Sequence, residues 1–214
     1  MRIRRHGRGG GIAGLVLVLG LAGLWIRFGL YGFLARQAPV GSPILVVEGW
    51  MPDGVLQQAV EWAETNGVVR IIATGGPVAT GSWLAEWNTY AEMTRARLEA
   101  MGAADRFEVT AVPAPKVRRG RTRESARALN EALGMEAGAF NLASEGLHTR
   151  RSWRAFQSVF GEGTAVGSVA LTPEEYDGSD WWTCSEGVRA MVGETVAYLH
   201  DLVMNRPAGR CFDP

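Results

Sequence analysis

The sequence predicts a three-layer α/β domain of Rossmann-like type, built on a mainly parallel five-stranded sheet and preceded by one N-terminal transmembrane helix. Three observations predict it. Five short apolar runs recur along the chain, each stopped by Gly, Pro or Ser; continuous rather than alternating apolar character suits strands covered on both faces. Amphipathic stretches separate the runs, and strand–helix alternation implies right-handed crossovers and a parallel sheet with helices on both sides. Ahead of them lies an apolar segment flanked by arginines.

In chain order, residues 1–10 form a basic tail and 11–35 a candidate signal anchor. "GIAGLVLVLGLAGLWI" is uncharged, and the run continues past Arg27 through "FGLYGFLA". About 20 apolar residues span a hydrocarbon core, and Arg27 is placed to snorkel at the far end. "FLARQAP" is a poor cleavage site, which favours an uncleaved anchor over a signal peptide. Arginines ahead of the segment predict a cytoplasmic N-terminus, an exported body and the cytoplasmic membrane as a partner. Residues 36–42 read as a linker and 207–214 as a tail.

The domain itself is expected over 43–206, with strands at 43–49, 68–76, 106–114, 138–144 and 165–171. Helices are expected at 54–66, about 84–102, 122–135, 148–160 and 186–204. In "NTYAEMTRARLEAMG", Tyr90, Met93, Leu98 and Met101 form a stripe before Gly102, a helix-stop candidate. With 214 residues, 47% of them hydrophobic and 21% charged, the chain is long enough for one such domain.

The formal net charge is zero, but the first 36 residues carry six arginines and no acid. The remainder holds 16 basic against 22 acidic side chains. That balance argues against a nucleic-acid partner. The two cysteines, Cys184 and Cys211, flank the last helix; an oxidising compartment would permit a disulfide, and two thiols are equally compatible with the sequence.

In a parallel α/β sheet ligands bind at the carboxyl ends of the strands. That rule selects "EGWMPD" with Glu48, Gly49, Trp50 and Asp53, "TGGP" with Thr74, Gly75 and Gly76, "RTRESA" with Thr122 and Glu124, and "SEGLHTRR" with Ser144, His148 and Arg151. His148, at the start of a helix after a core strand, is the strongest candidate. Helix N–H groups and arginines favour an anion there, and the imidazole can move a proton. The sequence therefore assigns proton chemistry to His148, Glu124 and Glu48. It assigns ligand binding to Gly49, Asp53, Thr74, Gly75, Gly76, Thr122, Ser144 and Arg151. A serine hydrolase is not indicated, since Gly-x-Ser-x-Gly is absent, and no metal is assigned because paired His or Cys spacing is missing. Trp181 and Trp182 read as core or sheet-edge packing.

"LVVEGWMPD", "IIATGGP", "RTRESA", "GLHTRRS" and "YDGSDWWTCSEGVRAMVGETVAYL" occur in that order across residues 45–199. Together they resemble the YdcF/SanA/ElyC-like family of bacterial envelope proteins, in particular a membrane-anchored branch. The resemblance implies a Rossmann-like fold and a role in envelope integrity, peptidoglycan precursor supply or lipid-carrier metabolism. One cytoplasmic relative is associated with S-adenosylmethionine, but no cofactor is carried over to this chain. The family's motifs fall on Gly75, Gly76, Thr122, Glu124, Ser144, His148 and Arg151, and a family acid falls on Glu194. This chain departs from the family pattern at Glu48, Trp50 and Ser125. The expected function is binding of a phosphorylated or nucleotide-like ligand, an anionic small molecule or a lipid-linked one, in peptidoglycan or lipid-carrier metabolism of the envelope, with catalysis on it left open by the sequence; the alternative is a non-catalytic anion sensor or scaffold of the envelope.

Overall fold

A computed structural model describes residues 8–78, 86–134 and 138–204. Five parallel strands form one sheet in the order β3-β2-β1-β4-β5: β1 (Ile44–Glu48), β2 (Arg70–Gly75), β3 (Glu108–Pro113), β4 (Ala139–Glu145) and β5 (Ala165–Leu171). Each expected strand is present, and the sheet is wholly parallel. Crossing helices are α3 (Asp53–Thr65), α4 (Tyr90–Ala100), α5 (Arg121–Leu133) and α6 (Thr149–Phe160), and the domain closes with α7 (Ser185–Met204).

Alternate side chains of each strand feed opposite cores, as the period of two requires. Leu45, Val47, Ile71 and Ala73 face one layer with Val55, Leu56 and Leu98 from α3 and α4. Val46, Ile72, Phe140 and Leu142 face the other with Leu129 and Phe156 from α5 and α6. Burial on both faces explains why these strands read as unbroken apolar runs.

Helix α4 starts at Tyr90, later than expected, for a local reason. Thr89 caps it: the Thr89 hydroxyl accepts from the Glu92 N–H, and the Glu92 carboxylate accepts from the Thr89 N–H. This reciprocal box fixes the first turn. Gly102 follows the helix at φ 76°, a left-handed conformation in which it bears no Cβ strain.

The expected transmembrane helix is corrected by the structure. Among the described residues no helix is long and apolar enough to cross a membrane. The physical reason lies in where the apolar run goes. Helix α1 (Arg8–Phe28) ends before Gly29, and "LYGFL" forms a separate short helix, α2 (Leu30–Leu34). Leu30 and Leu34 are buried with Leu147, Trp181, Met191 and Tyr198. Residues that the sequence counted towards a span are core residues of the domain, which therefore begins near residue 30 rather than 43.

The presumed linker is docked as well. Ala38 makes an antiparallel bridge to Ser168 on edge strand β5, and the Asn141 side chain bonds both backbone groups of Val40. The Arg2, Arg4 and Arg5 cluster and Cys211 lie outside the described residues, whereas Cys184 is half-buried just ahead of α7.

Candidate functional site

Strand order reverses at β1, since β2 lies on one side of it and β4 on the other. At such a switch point the loops part and leave a crevice at the carboxyl ends of the strands. A cleft of about 820 Å³ opens here, lined by the ends of β1, β2 and β3 and by the starts of α5 and α6.

Glu48, the last residue of β1, sits in the cleft wall yet is only 5% exposed. Its Oε2 accepts hydrogen bonds from Ser144 Oγ at 2.5 Å and Ser152 Oγ at 2.8 Å. A buried carboxylate is costly unless such donors replace water. Its Oε1 lies 3.9 Å from His148 Nε2, longer than a hydrogen bond but within ion-pair range.

His148 ends a short 3-10 turn (Gly146–His148) that runs directly into α6. Arg151, three residues on, shares its face, as helical spacing requires. The imidazole Nδ1 is 2.8 Å from an Arg151 terminal nitrogen and 3.2 Å from Glu194 Oε2. Arg151 in turn donates to both Glu194 oxygens, at 2.6 and 3.0 Å. Arginine only donates and an ionised carboxylate only accepts. A neutral ring therefore accepts at Nδ1 from Arg151 and carries its proton on Nε2, towards Glu48, whereas a charged ring donates Nδ1–H to Glu194. Both protonation states of His148 have a partner.

Electrostatics reinforce this arrangement. Burial works to raise the Glu194 carboxyl, but hydrogen bonds and charge from His148 and Arg151 outweigh it and hold the group below the usual carboxylate range. Burial likewise opposes the Arg151 charge, and Glu194, with Glu48 and Asp201, more than offsets that and pushes its pKa up. Trp50 meets the His148 ring edge-on, with centroids 5.0 Å apart, and is 41% exposed towards the cleft.

Of the residues selected from the sequence, Glu48, Thr74, Gly75, Gly76, Thr122, His148 and Arg151 line this cleft. Ser144 lies beneath it, fully buried, and holds Glu48. Gly49 serves packing: a Cβ there would come within 2.6 Å of the Tyr90 carbonyl, and its own carbonyl accepts from Thr94. Asp53 is paired with Arg97 at 2.6 Å and Glu124 with Arg127 at 2.9 Å, and neither lines the cleft. Thr122 does not cap α5, because Gly120 occupies that position in the left-handed region.

Sequence reasoning passed over two features. Ser152, one turn beyond His148, lies on the same helical face, a legible signal. The stretch "KVRRGRTR" places Lys116, Arg118, Arg119, Arg121 and Arg123 around the cleft mouth, and five cations in eight residues ahead of a helix are equally legible. Among the described residues no group of three or more His, Cys, Asp or Glu is arranged to hold a metal ion. No family model matches this sequence, and no curated protein matches it.

Proposed function

We propose that the cleft binds a phosphorylated small-molecule or lipid-linked ligand and that His148 and Glu48 move the proton in cleaving its phosphoester. The observation that carries this reading is the pairing of a cation-lined cleft at the switch point with an imidazole that has a partner in either protonation state. Arginines and the N-terminus of α5 supply donors for phosphate oxygens. Glu48, fixed by two serine hydroxyls, is placed to accept a proton from an attacking water. His148 is placed to give one to the departing oxygen as the new P–O bond forms and the old one breaks. Membership of the YdcF/SanA/ElyC-like family, and with it an envelope setting outside the cytoplasm, rests on the resemblance of the five motifs.

Purified full chain assayed with uridine and isoprenyl phosphates tests this. His148→Ala is expected to lower turnover by about 10²–10⁴-fold, the usual contribution of a positioned acid or base, with ligand still bound and thermal stability nearly unchanged. Binding without turnover in the wild type would favour the sensor alternative. An unfolded His148→Ala domain, with normal ligand binding by any residual folded protein, would sink the functional assignment of His148.

A further inference from the structure

The charge of the cleft is unevenly distributed. Arg151 is already neutralised by Glu194. The two acids of the lining, Glu48 and Asp201, come from β1 and α7, away from the loop that joins β3 to α5. On that loop and at the first residue of α5, Lys116, Arg118, Arg119 and Arg121 are exposed, line the cleft, and have no acidic partner among the described residues. Gly120, between them, adopts φ 67° and turns the chain into α5.

Four uncompensated cations within six residues repel one another, and cleft walls of low dielectric focus their field. A phosphate monoester brings about −1.5 to −2 charges, and a terminal diphosphate adds roughly one more. The second phosphate is what matches this rim, because guanidinium forks bind phosphate oxygens bidentately and several forks need several oxygens. The cleft is also of a size that takes a whole ligand of several hundred Å³ rather than one free phosphate group.

We infer that the segment 116–121 is a diphosphate clamp: the cleft selects a ligand bearing a terminal or bridging diphosphate over its monophosphate counterpart. The inference rests on the phosphorylated-ligand reading above and narrows its substrate class. A lipid diphosphate and a nucleoside diphosphate share the chemistry, so the experiment carries both.

Affinities of the full chain for uridine monophosphate, uridine diphosphate, farnesyl monophosphate and farnesyl diphosphate are measured by calorimetry at fixed ionic strength. At least one diphosphate should bind tenfold or more tightly than its monophosphate. A preference in the uridine pair alone assigns a nucleotide carrier, and one in the farnesyl pair alone assigns a lipid carrier. The double variant Arg118→Ala/Arg119→Ala, which removes only exposed side chains, should bring that ratio below about twofold while shifting monophosphate affinity less than threefold. Arg95→Ala, a cation on α4 paired with Glu99, should keep the wild-type ratio. Equal affinity for mono- and diphosphates, or equal losses for both in the double variant, would overturn the clamp and leave phosphate binding standing. Failure of all four probes to bind would remove the proposed function and the clamp with it.

Discussion

Glu194 couples the C-terminal helix to the imidazole, and its environment makes a pH prediction. The carboxyl is held below its ordinary value, so it contributes stability above the unfolded-state pKa of about 4.3, and that stability is lost as pH falls through the lower folded value. Glu194→Gln should therefore flatten the acid limb of the stability–pH curve below about pH 4.5, measured by urea unfolding at stepped pH; an unchanged limb would show that the pair contributes nothing. Glu194→Ala, which leaves Arg151 partly buried without its counter-charge, should cost about 2–3 kcal/mol at neutral pH. Glu48 and His148 could be chosen from sequence because strand ends mark the rim. Asp53 and Glu124 obeyed the same rule but were claimed by nearby arginines, Arg97 across to α4 and Arg127 one turn along α5. Glu194 entered only through the family resemblance, and its partners stand 43 and 46 residues back, Arg151 on α6 and His148 in the turn just before it, a distance no local pattern encodes.

At the scale of elements, two glycines of the rim separate packing from binding. A Cβ on Gly49 would meet the Tyr90 carbonyl at 2.6 Å and the Thr74 carbonyl at 2.8 Å, both backbone atoms that cannot swing away. Gly49→Ala should push α4 off the ends of β1 and β2, with a loss of about 3 kcal/mol or more, since overpacking against backbone is costly. A Cβ on Gly76 meets only the Ala114 and Pro115 carbonyls at 3.7 and 3.8 Å. Gly76→Ala should leave the melting temperature within about 2 °C and weaken ligand binding, because Gly76 and both of those neighbours line the cleft. A large drop in melting temperature for Gly76→Ala, or none for Gly49→Ala, would reverse these assignments. β1 and β2 were legible because burial on both faces leaves unbroken apolar runs, whereas β3, a half-buried edge strand, was marked by its β-branched residues between turn signals. The start of α4 was misjudged although Thr89 and Glu92 spell a capping box in the sequence.

For the whole molecule, the decisive question is where the domain begins. Hydropathy cannot separate an apolar run that stays together from one that is cut at Gly29 and shared between two helices, since both have the same composition. What distinguishes them is tertiary: Leu30 and Leu34 fill a cluster with Leu147, Trp181, Met191 and Tyr198, and Arg150 stacks over Phe33 at 4.0 Å while its Nε bonds the Phe33 carbonyl. The same cluster anchors α7, which carries Glu194, so α2 supports the site through that helix. Removal of residues 1–28 should leave the stability of the domain nearly unchanged, because apart from contacts of Trp25, Arg27 and Phe28 with Phe33 and Trp182 little of α1 touches it. Removal of residues 1–34 deletes two buried leucines, each worth about 2–5 kcal/mol when truncated in a core, and should destabilise the domain severely. It should also lower ligand affinity through loss of the Glu194 support. Chemical denaturation of both truncations beside the full chain decides the matter: equal stability for the two would place the start of the domain after residue 34, as hydropathy alone had it.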